Sequence, residues 1–358
     1  MRRARALRQL MACLRGDPPA DCRWEDVLAL ANQSLVTPQL TAALEGHRNL
    51  LPIDVAEFLE DVRQRNRERN RRLWRALDDA VAALTAVNIV PTLLKGAARR
   101  ATWPEDQPFD RMLSDIDLLV EPAEVDAALT ALSSAGFGLA ARYQGAEVHV
   151  VAELGRPGDP GYIDLHQRPP GPPGLSETPE LAMRRREISL NGRSILVPDA
   201  ASQIFYLLLH DQFHDGGFWR GGFDLRHLID LRALASEVSA TDRRWLRNAC
   251  GTPLVRMAFD AVLVSMQRLA GDIKLGDDEA RDGLWTHRRW LLQFSFPILR
   301  VPLAALAALL SLPKLLDHRA AVTLERRRVF GRATSSGTSV SVRLERFRRI
   351  LSVRSGKI

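Results

Sequence analysis

The sequence predicts an α+β protein, with a small mixed β-sheet core flanked by N- and C-terminal helical regions. Three observations predict this. Apolar residues recur at helical spacing before residue 87 and again after residue 199. Between those limits, short β-branched runs alternate with a helical stretch. Two strand-like pieces there flank Asn191-Gly192, a strong hairpin signal. The expected organisation is a helical region over 1–87, a sheet core over 88–198, a second helical region over 199–316 and a basic tail over 317–358.

Each element has its own justification. Residues 24–35 and 55–87 carry helical periodicity, and Pro52 with Asp54 marks where the second of these helices starts. That helix holds Arg63, Arg65, Arg67, Arg69, Arg71, Arg72 and Arg75, which read as a solvated face in preference to a polyanion contact. Residues 89–94 and 116–120 are short apolar runs, with a helix predicted over 124–132 that stops at Gly136. Residues 148–154 and 162–166 read as strands separated by turn material, and 187–190 with 194–197 form the hairpin. Such αβ alternation suggests a mixed sheet with helices on one side. From Asp199 the chain turns helical, most clearly over 201–214 and 225–238, and more helix is expected to about Leu316.

Charge excludes one easy reading. The chain has 358 residues and a net charge of +7, yet the last forty residues hold eleven Arg/Lys against Glu325 and Glu345. The tail therefore carries +9 and the remaining body −2, so a nucleic-acid-binding core is not implied. Cys13, Cys22 and Cys250 have no ligand spacing, which argues against a disulfide scaffold or zinc knuckle and fits a reducing, cytoplasmic setting. No apolar run of a secretory type follows Arg2, Arg3, Arg5 and Arg8, so no signal peptide is expected. The uncharged stretch Val301–Pro313 has thirteen residues where a membrane span needs about twenty. A buried or interfacial helix is expected there. With the basic tail beside it, peripheral contact of 301–358 with an anionic membrane surface is a further expectation. Residues 331–337 read as a linker and 342–351 as a short basic helix.

The chemistry concentrates in Ser114-Asp115-Ile116-Asp117-Leu118-Leu119-Val120. On a strand, Asp115 and Asp117 share one face while Ile116 and Leu118 point into a core. Paired carboxylates repel unless a cation lies between them, and a hard divalent ion such as Mg²⁺ takes such a pair. Lys95-Gly96-Ala97 follows the first strand and opens a helix, where a glycine and free N–H groups suit a phosphate. Asp164, in Tyr162-Ile163-Asp164-Leu165-His166, shares a face with His166 and supplies a third carboxylate for a two-metal site. His210 and His214 lie four apart with no obvious third ligand, so a hydrogen-bonding or substrate-side role is expected over zinc. Arg226 and Asp230 read as an i,i+4 helix ion pair.

These residues together resemble the nucleotidyltransferase (polymerase-β-like) superfamily. The closer resemblance is to a bacterial group of nucleotidyltransferase-like proteins with Leu94-Lys95-Gly96, an arginine (Arg111) before Asp115–Val120, and Asp164-Leu165-His166, followed by His210 and Arg226 with Asp230. It runs from about residue 60 to 235. The chain departs from the superfamily pattern at Ala97, where Gly or Ser is preferred, and in a longer Gly96–Asp115 gap that leaves room for a substrate-side insertion with Trp103, Pro104 and Pro108.

The resemblance implies that Asp115, Asp117 and Asp164 hold catalytic Mg²⁺ or Mn²⁺, with Asp164 a ligand or the base. Lys95 and Gly96 would contact the triphosphate, and Arg111 would hold phosphate or brace the Asp115 loop. It implies attack on the α-phosphate of ATP or another NTP, moving a nucleoside monophosphate to a small-molecule or peptide acceptor. Its members often occur near genes for peptide natural products or surface polysaccharides. Three rivals make different demands: a non-catalytic nucleotide-binding or regulatory protein of the same fold, a DxD glycosyltransferase (whose upstream βαβ region the helical first 87 residues do not supply), and a membrane-surface or nucleic-acid module using the tail.

Overall fold

The structure, a computed structural model, describes residues 2–144, 148–172, 174–222, 224–271 and 281–314. Helices α1 (Arg2–Leu14), α2 (Trp24–Gln33) and α3 (Thr37–Ala43) precede α4 (Ile53–Thr85), a helix of 33 residues. The sheet region follows: β1 (Thr92–Leu93), α5 (Lys95–Ala101), β2 (Ile116–Leu119), α6 (Val125–Ser134), β3 (Gly138–Arg142), β4 (Val150–Gly155), β5 (Ile163–His166), α7 (Pro179–Met183), β6 (Arg185–Leu190) and β7 (Arg193–Pro198). The helical remainder comprises α8 (Ala200–Leu209), a π-turn at His210–His214, α9 (Gly217–Arg220), α10 (Leu225–Glu237), α11 (Ala240–Ala249), α12 (Pro253–Ser265) and α13 (Arg281–Ser295). Asp199 opens α8 by accepting the Ser202 N–H at 2.8 Å, as an aspartate N-cap does.

The strands form one mixed sheet in the order β3-β4-β5-β2-β1-β7-β6. The pairs β2–β5 and β1–β7 are parallel and the others antiparallel. All four residues of β2 are buried, which is why the centre of the sheet reads as a run of apolar residues around one aspartate. Leu73, Leu77, Val81 and Leu84 of α4 pack with Leu118, Leu165 and Ile195 of the sheet in one core. The β6–β7 hairpin turns at Asn191 and Gly192, with φ of 47° and 81°, the left-handed pair that a two-residue hairpin needs.

A second core joins the two ends of the chain. Leu7, Leu10 and Met11 of α1 share it with Phe205, Leu228, Leu254 and Trp290, and α1 packs directly on α13. Helix α4 serves both cores, with Val55 and Leu59 in the helical one and its C-terminal half under the sheet.

Two features differ from the sequence expectation. Strand β3 was not anticipated: its Gly-Leu-Ala-Ala-Arg sequence has little β-propensity, and it survives as a largely exposed edge strand paired only to β4. The apolar helix Pro297–Lys314 is 18 residues long, long and apolar enough to cross a membrane by length and composition, and only 17% of it is buried. Ile298, Leu309 and Leu310 are 86%, 64% and 68% exposed, so of the two expected forms, buried or interfacial, the buried one is not met. The basic tail, with the expected linker at 331–337 and helix at 342–351, lies outside the described residues.

Candidate active site

Register builds the site. In the parallel β2–β5 pair, Asp117 lies opposite Asp164 and Leu119 opposite His166. The period of two then sets Asp117, Asp164 and His166 on one face, while Ile116, Leu118 and Leu165 enter the core. Ligand atoms of Asp117, Asp164 and His166 lie within 4.8 Å of one another. Asp115 precedes β2, and its carboxylate accepts a hydrogen bond from Ser114 Oγ at 3.0 Å. Of the three predicted metal carboxylates, the structure thus brings Asp117 and Asp164 into one tight group, with His166 as its third member. The antiparallel β4–β5 register also sets Glu153 opposite Asp164, a fourth carboxylate that no sequence motif marks.

The cluster is strongly polarised. Asp117 is 1% exposed, and burial alone would push its carboxyl up. The Lys95 charge and the His166 hydrogen bond outweigh that and hold it well below the usual carboxylate range. Lys95 Nζ lies 2.6 Å from Asp117 Oδ1; burial opposes its charge, but Asp117 and Asp115 raise its pKa above the ordinary lysine value. At Asp164 the Lys95 charge is outweighed, and burial, then the charges of Asp117 and Asp115, push its carboxyl up to about 8. His166 Nε2 sits 3.0 Å from Asp117 Oδ1, while burial holds the imidazole below its usual value. With Asp117 ionised, Nε2 must be the donor, which leaves Nδ1 as an acceptor. That Nδ1 is buried and has no hydrogen-bond partner among the described residues.

The arginine cluster of α4 is a solvated face only in part: Arg65, Arg71, Arg72 and Arg75 are exposed, while Arg63, Arg67 and Arg69 turn inward. Arg63 is buried and pairs with Asp110 at 3.0 Å, and Arg67 reaches the same carboxylate at 2.9 Å. Arg69 donates to the carbonyls of Leu113 (3.1 Å) and Ser114 (2.9 Å), and also to that of Pro160. Asn70 donates to the Arg111 carbonyl at 2.8 Å and accepts from Leu113 N–H at 3.2 Å. Residues 63, 66, 67 and 70 thus lie on one helix face and grip the 109–114 loop that delivers Asp115. The missed signal was the polar Arg63, Asn66 and Asn70 continuing, at helical spacing, the apolar stripe of Leu59, Leu73 and Leu77.

The remaining predicted residues are placed as follows. Lys95 takes a left-handed φ of 45° at the start of the seven-residue α5 and points its ammonium at Asp117. Gly96 is buried under Arg111: a Cβ there would come within 2.5 Å of Arg111 Nη1 and 2.7 Å of Leu113. Arg111 donates from Nε to both Asp230 oxygens, at 3.0 and 2.8 Å, with both side chains buried. That contact corrects the expected helix pair: Asp230 binds Arg111, while Arg226 binds Asp224 at 2.8 Å. In the longer Gly96–Asp115 loop, Trp103 packs against Phe109 at 5.6 Å between centroids, while Pro104 and Pro108 are exposed.

Comparison with known proteins gives a match to the family described as uncharacterised nucleotidyltransferase over residues 20–271. No curated protein matches the sequence. Among solved structures, the chain is similar to the antibiotic-resistance factor ANT(2'')-Ia, at 16% identity and a TM-score of 0.34, covering 49% of this chain and 89% of that one.

Proposed function

Since this chain belongs to the uncharacterised nucleotidyltransferase family, we propose that it moves a nucleoside monophosphate from an NTP, with ATP the default, to a hydroxyl of a small-molecule or peptide acceptor. The reaction would be in-line attack on the α-phosphate, with pyrophosphate leaving. The observation that carries this reading is the β2–β5 register, which sets Asp117 beside Asp164 on one face, with Lys95 at the start of α5 paired to Asp117.

The donor set fits a hard divalent cation. Two carboxylates and an imidazole have ligand atoms within 4.8 Å, and Asp164 is pushed up to about 8 by burial and then by the charges of Asp117 and Asp115, which a cation would offset. Asp117 and Asp164, with Asp115 beside them, would hold Mg²⁺ or Mn²⁺, which when bound neutralises charge on the phosphates. The chain's own groups do the rest. His166 fixes the Asp117 carboxylate through Nε2–H, and Lys95 keeps it ionised. Asp164, once a cation has displaced its proton, would be a metal ligand or the base that takes the proton of the acceptor hydroxyl. Arg111, already committed to Asp230, braces the loop before Asp115; its covering of Gly96 supports that role over a phosphate contact.

The reading extends to surroundings. Three free thiols fit a reducing, cytoplasmic setting. The exposed apolar face of Pro297–Lys314, followed by eleven basic residues from Arg319 onward, supports peripheral contact with an anionic membrane. Nucleic acid is not the partner suggested for the core.

A donor screen tests the activity: each NTP with Mg²⁺ or Mn²⁺ and a broad acceptor panel, read by mass and by pyrophosphate release. The expected result is one added nucleoside monophosphate, falling by on the order of 10²–10³-fold in Asp117→Asn. Nucleotide binding without pyrophosphate release across the panel would favour the non-catalytic rival.

A further inference from the structure

Five of the eight histidines of the chain form one contiguous stack. Ring centroids run from His166 to His149 (5.3 Å), His149 to His214 (4.3 Å), His214 to His210 (5.4 Å) and His210 to His227 (6.2 Å). Only His166 has a part in the site already described.

The backbone under this stack is unusual. Where α8 ends, the chain widens into a π-turn closed by Asp215 N–H on the His210 carbonyl at 2.9 Å, an i→i+5 bond. The wider turn sets His210 and His214 almost one above the other, their rings 28° apart. Single π-turns within helices gather at functional sites. Helix α10 then brings His227 alongside, its first turn fixed by Asp224, which accepts from Arg226 N–H at 2.9 Å and pairs with the Arg226 side chain.

The ligand atoms of His210, Asp211 and His227 all lie within 4.8 Å of one another. His227 Nδ1 is 2.9 Å from both Asp211 oxygens, and His210 Nδ1 is 3.2 Å from Asp211 Oδ1 and 3.4 Å from Asp215 Oδ2. A tetrahedral zinc with bonds of about 2.0–2.1 Å spaces its ligand atoms about 3.3–3.4 Å apart. Each imidazole therefore stands within about half an ångström of that spacing from Asp211, and the two imidazoles lie within 4.8 Å of each other. The chemistry differs from that at Asp117: two imidazoles and one carboxylate suit zinc or a similar transition metal, whereas a carboxylate-led set suits Mg²⁺.

We infer that His210, Asp211 and His227 form a zinc-type metal site, with Asp215 or water in the fourth position. The ion ties the π-turn to α10 and, through His214 and His149, backs the strand that carries His166. The inference does not depend on nucleotidyl transfer.

The test uses the full, untagged chain. Metal content is measured by mass spectrometry, and the chelator-stripped protein is titrated with Zn²⁺ and with Co²⁺, whose visible d–d bands report tetrahedral nitrogen and oxygen ligands. About one zinc per chain is expected, falling at least about tenfold in His210→Ala and in Asp211→Asn. Asp117→Asn should lose transfer and keep its zinc, which separates this site from the active site. Should either ligand variant fail to fold, one-for-one return of Zn²⁺ to the stripped wild type, with cobalt bands, reads the same site. A stripped wild type that takes up neither ion, or folded His210→Ala and Asp211→Asn that keep full zinc, would overturn the inference.

Discussion

The sheet core and the helical core solve different problems of assembly. The sheet core draws its residues from one continuous stretch, Leu73 to Val197, and its ionisable cluster is positioned by strand register. The helical core needs both ends of the chain, Ala6 to Leu59 and Leu181 to Ala307, and its histidine cluster is positioned by a π-turn and a facing helix. The first sets a buried Asp117 and a half-buried Asp164 beside one lysine; the second pairs its acids with imidazoles. On the two proposals above, strand register would crowd carboxylates for a hard cation, and helix faces would gather histidines for a softer one.

The two cores are pinned together at Arg111–Asp230, a pair with 8% and 7% exposed side chains. Breaking that pin is the largest single change predicted. Asp230→Ala leaves a buried guanidinium without its partner and should cost about 3–5 kcal/mol, read as a lower denaturant midpoint. Replacing both, as Arg111→Met with Asp230→Leu, should recover most of the loss, because the penalty lies in the orphaned charge. A denaturation curve for Asp230→Ala that overlays wild type would show that the two cores stand without this pin.

A smaller effect sharpens the electrostatic half of the comparison. Asp164 has a folded-state pKa of about 8 against about 3.9 for an unfolded aspartate. The metal-free folded state therefore holds a proton that the unfolded state has released. Its contribution to stability is fully present below about pH 4, drains as pH rises, and is gone above about pH 8. Melting temperatures of metal-free wild type should fall relative to Asp164→Asn from about pH 5 to 8 and level off above. Mg²⁺ should flatten the curve by displacing the proton. An identical slope in Asp164→Asn would assign the titration to another group.

Much of this was legible in the sequence where chemistry and periodicity agree. The period of two over Ile116–Leu119 and the face shared by Asp164 and His166 survive, because a buried strand leaves its side chains only two directions, whereas Asp115 precedes the strand. What stayed hidden was long-range. Arg63, Arg67 and Arg69 look like solvated charge until the 109–114 loop lies over them. Arg226 and Asp230 match at helical spacing, yet Arg111, more than a hundred residues away in sequence, outcompetes that neighbour in a buried setting. His210 and His214 suggested a metal face but no third ligand, since spacing does not reveal that α10 delivers His227 or that the turn between them is a π-turn.

The smallest prediction concerns a position outside both clusters, the β6–β7 turn, and it tests whether edge geometry feeds into either site. Gly192 has φ of 81°, and a Cβ there would meet nothing within 4 Å, so Gly192→Ala isolates backbone strain from packing. An L-residue forced into that left-handed conformation should cost roughly 1–2 kcal/mol. The expected reading is a lower denaturant midpoint with an unchanged slope, because the surface exposed on unfolding is the same. Zinc content and pyrophosphate release should stay at wild-type levels, since β6 is the far edge of the sheet order and β5, with Asp164, lies four strands in. Loss of transfer at full zinc would instead mean that the hairpin steers the sheet site through β1, the strand shared by β7 and β2.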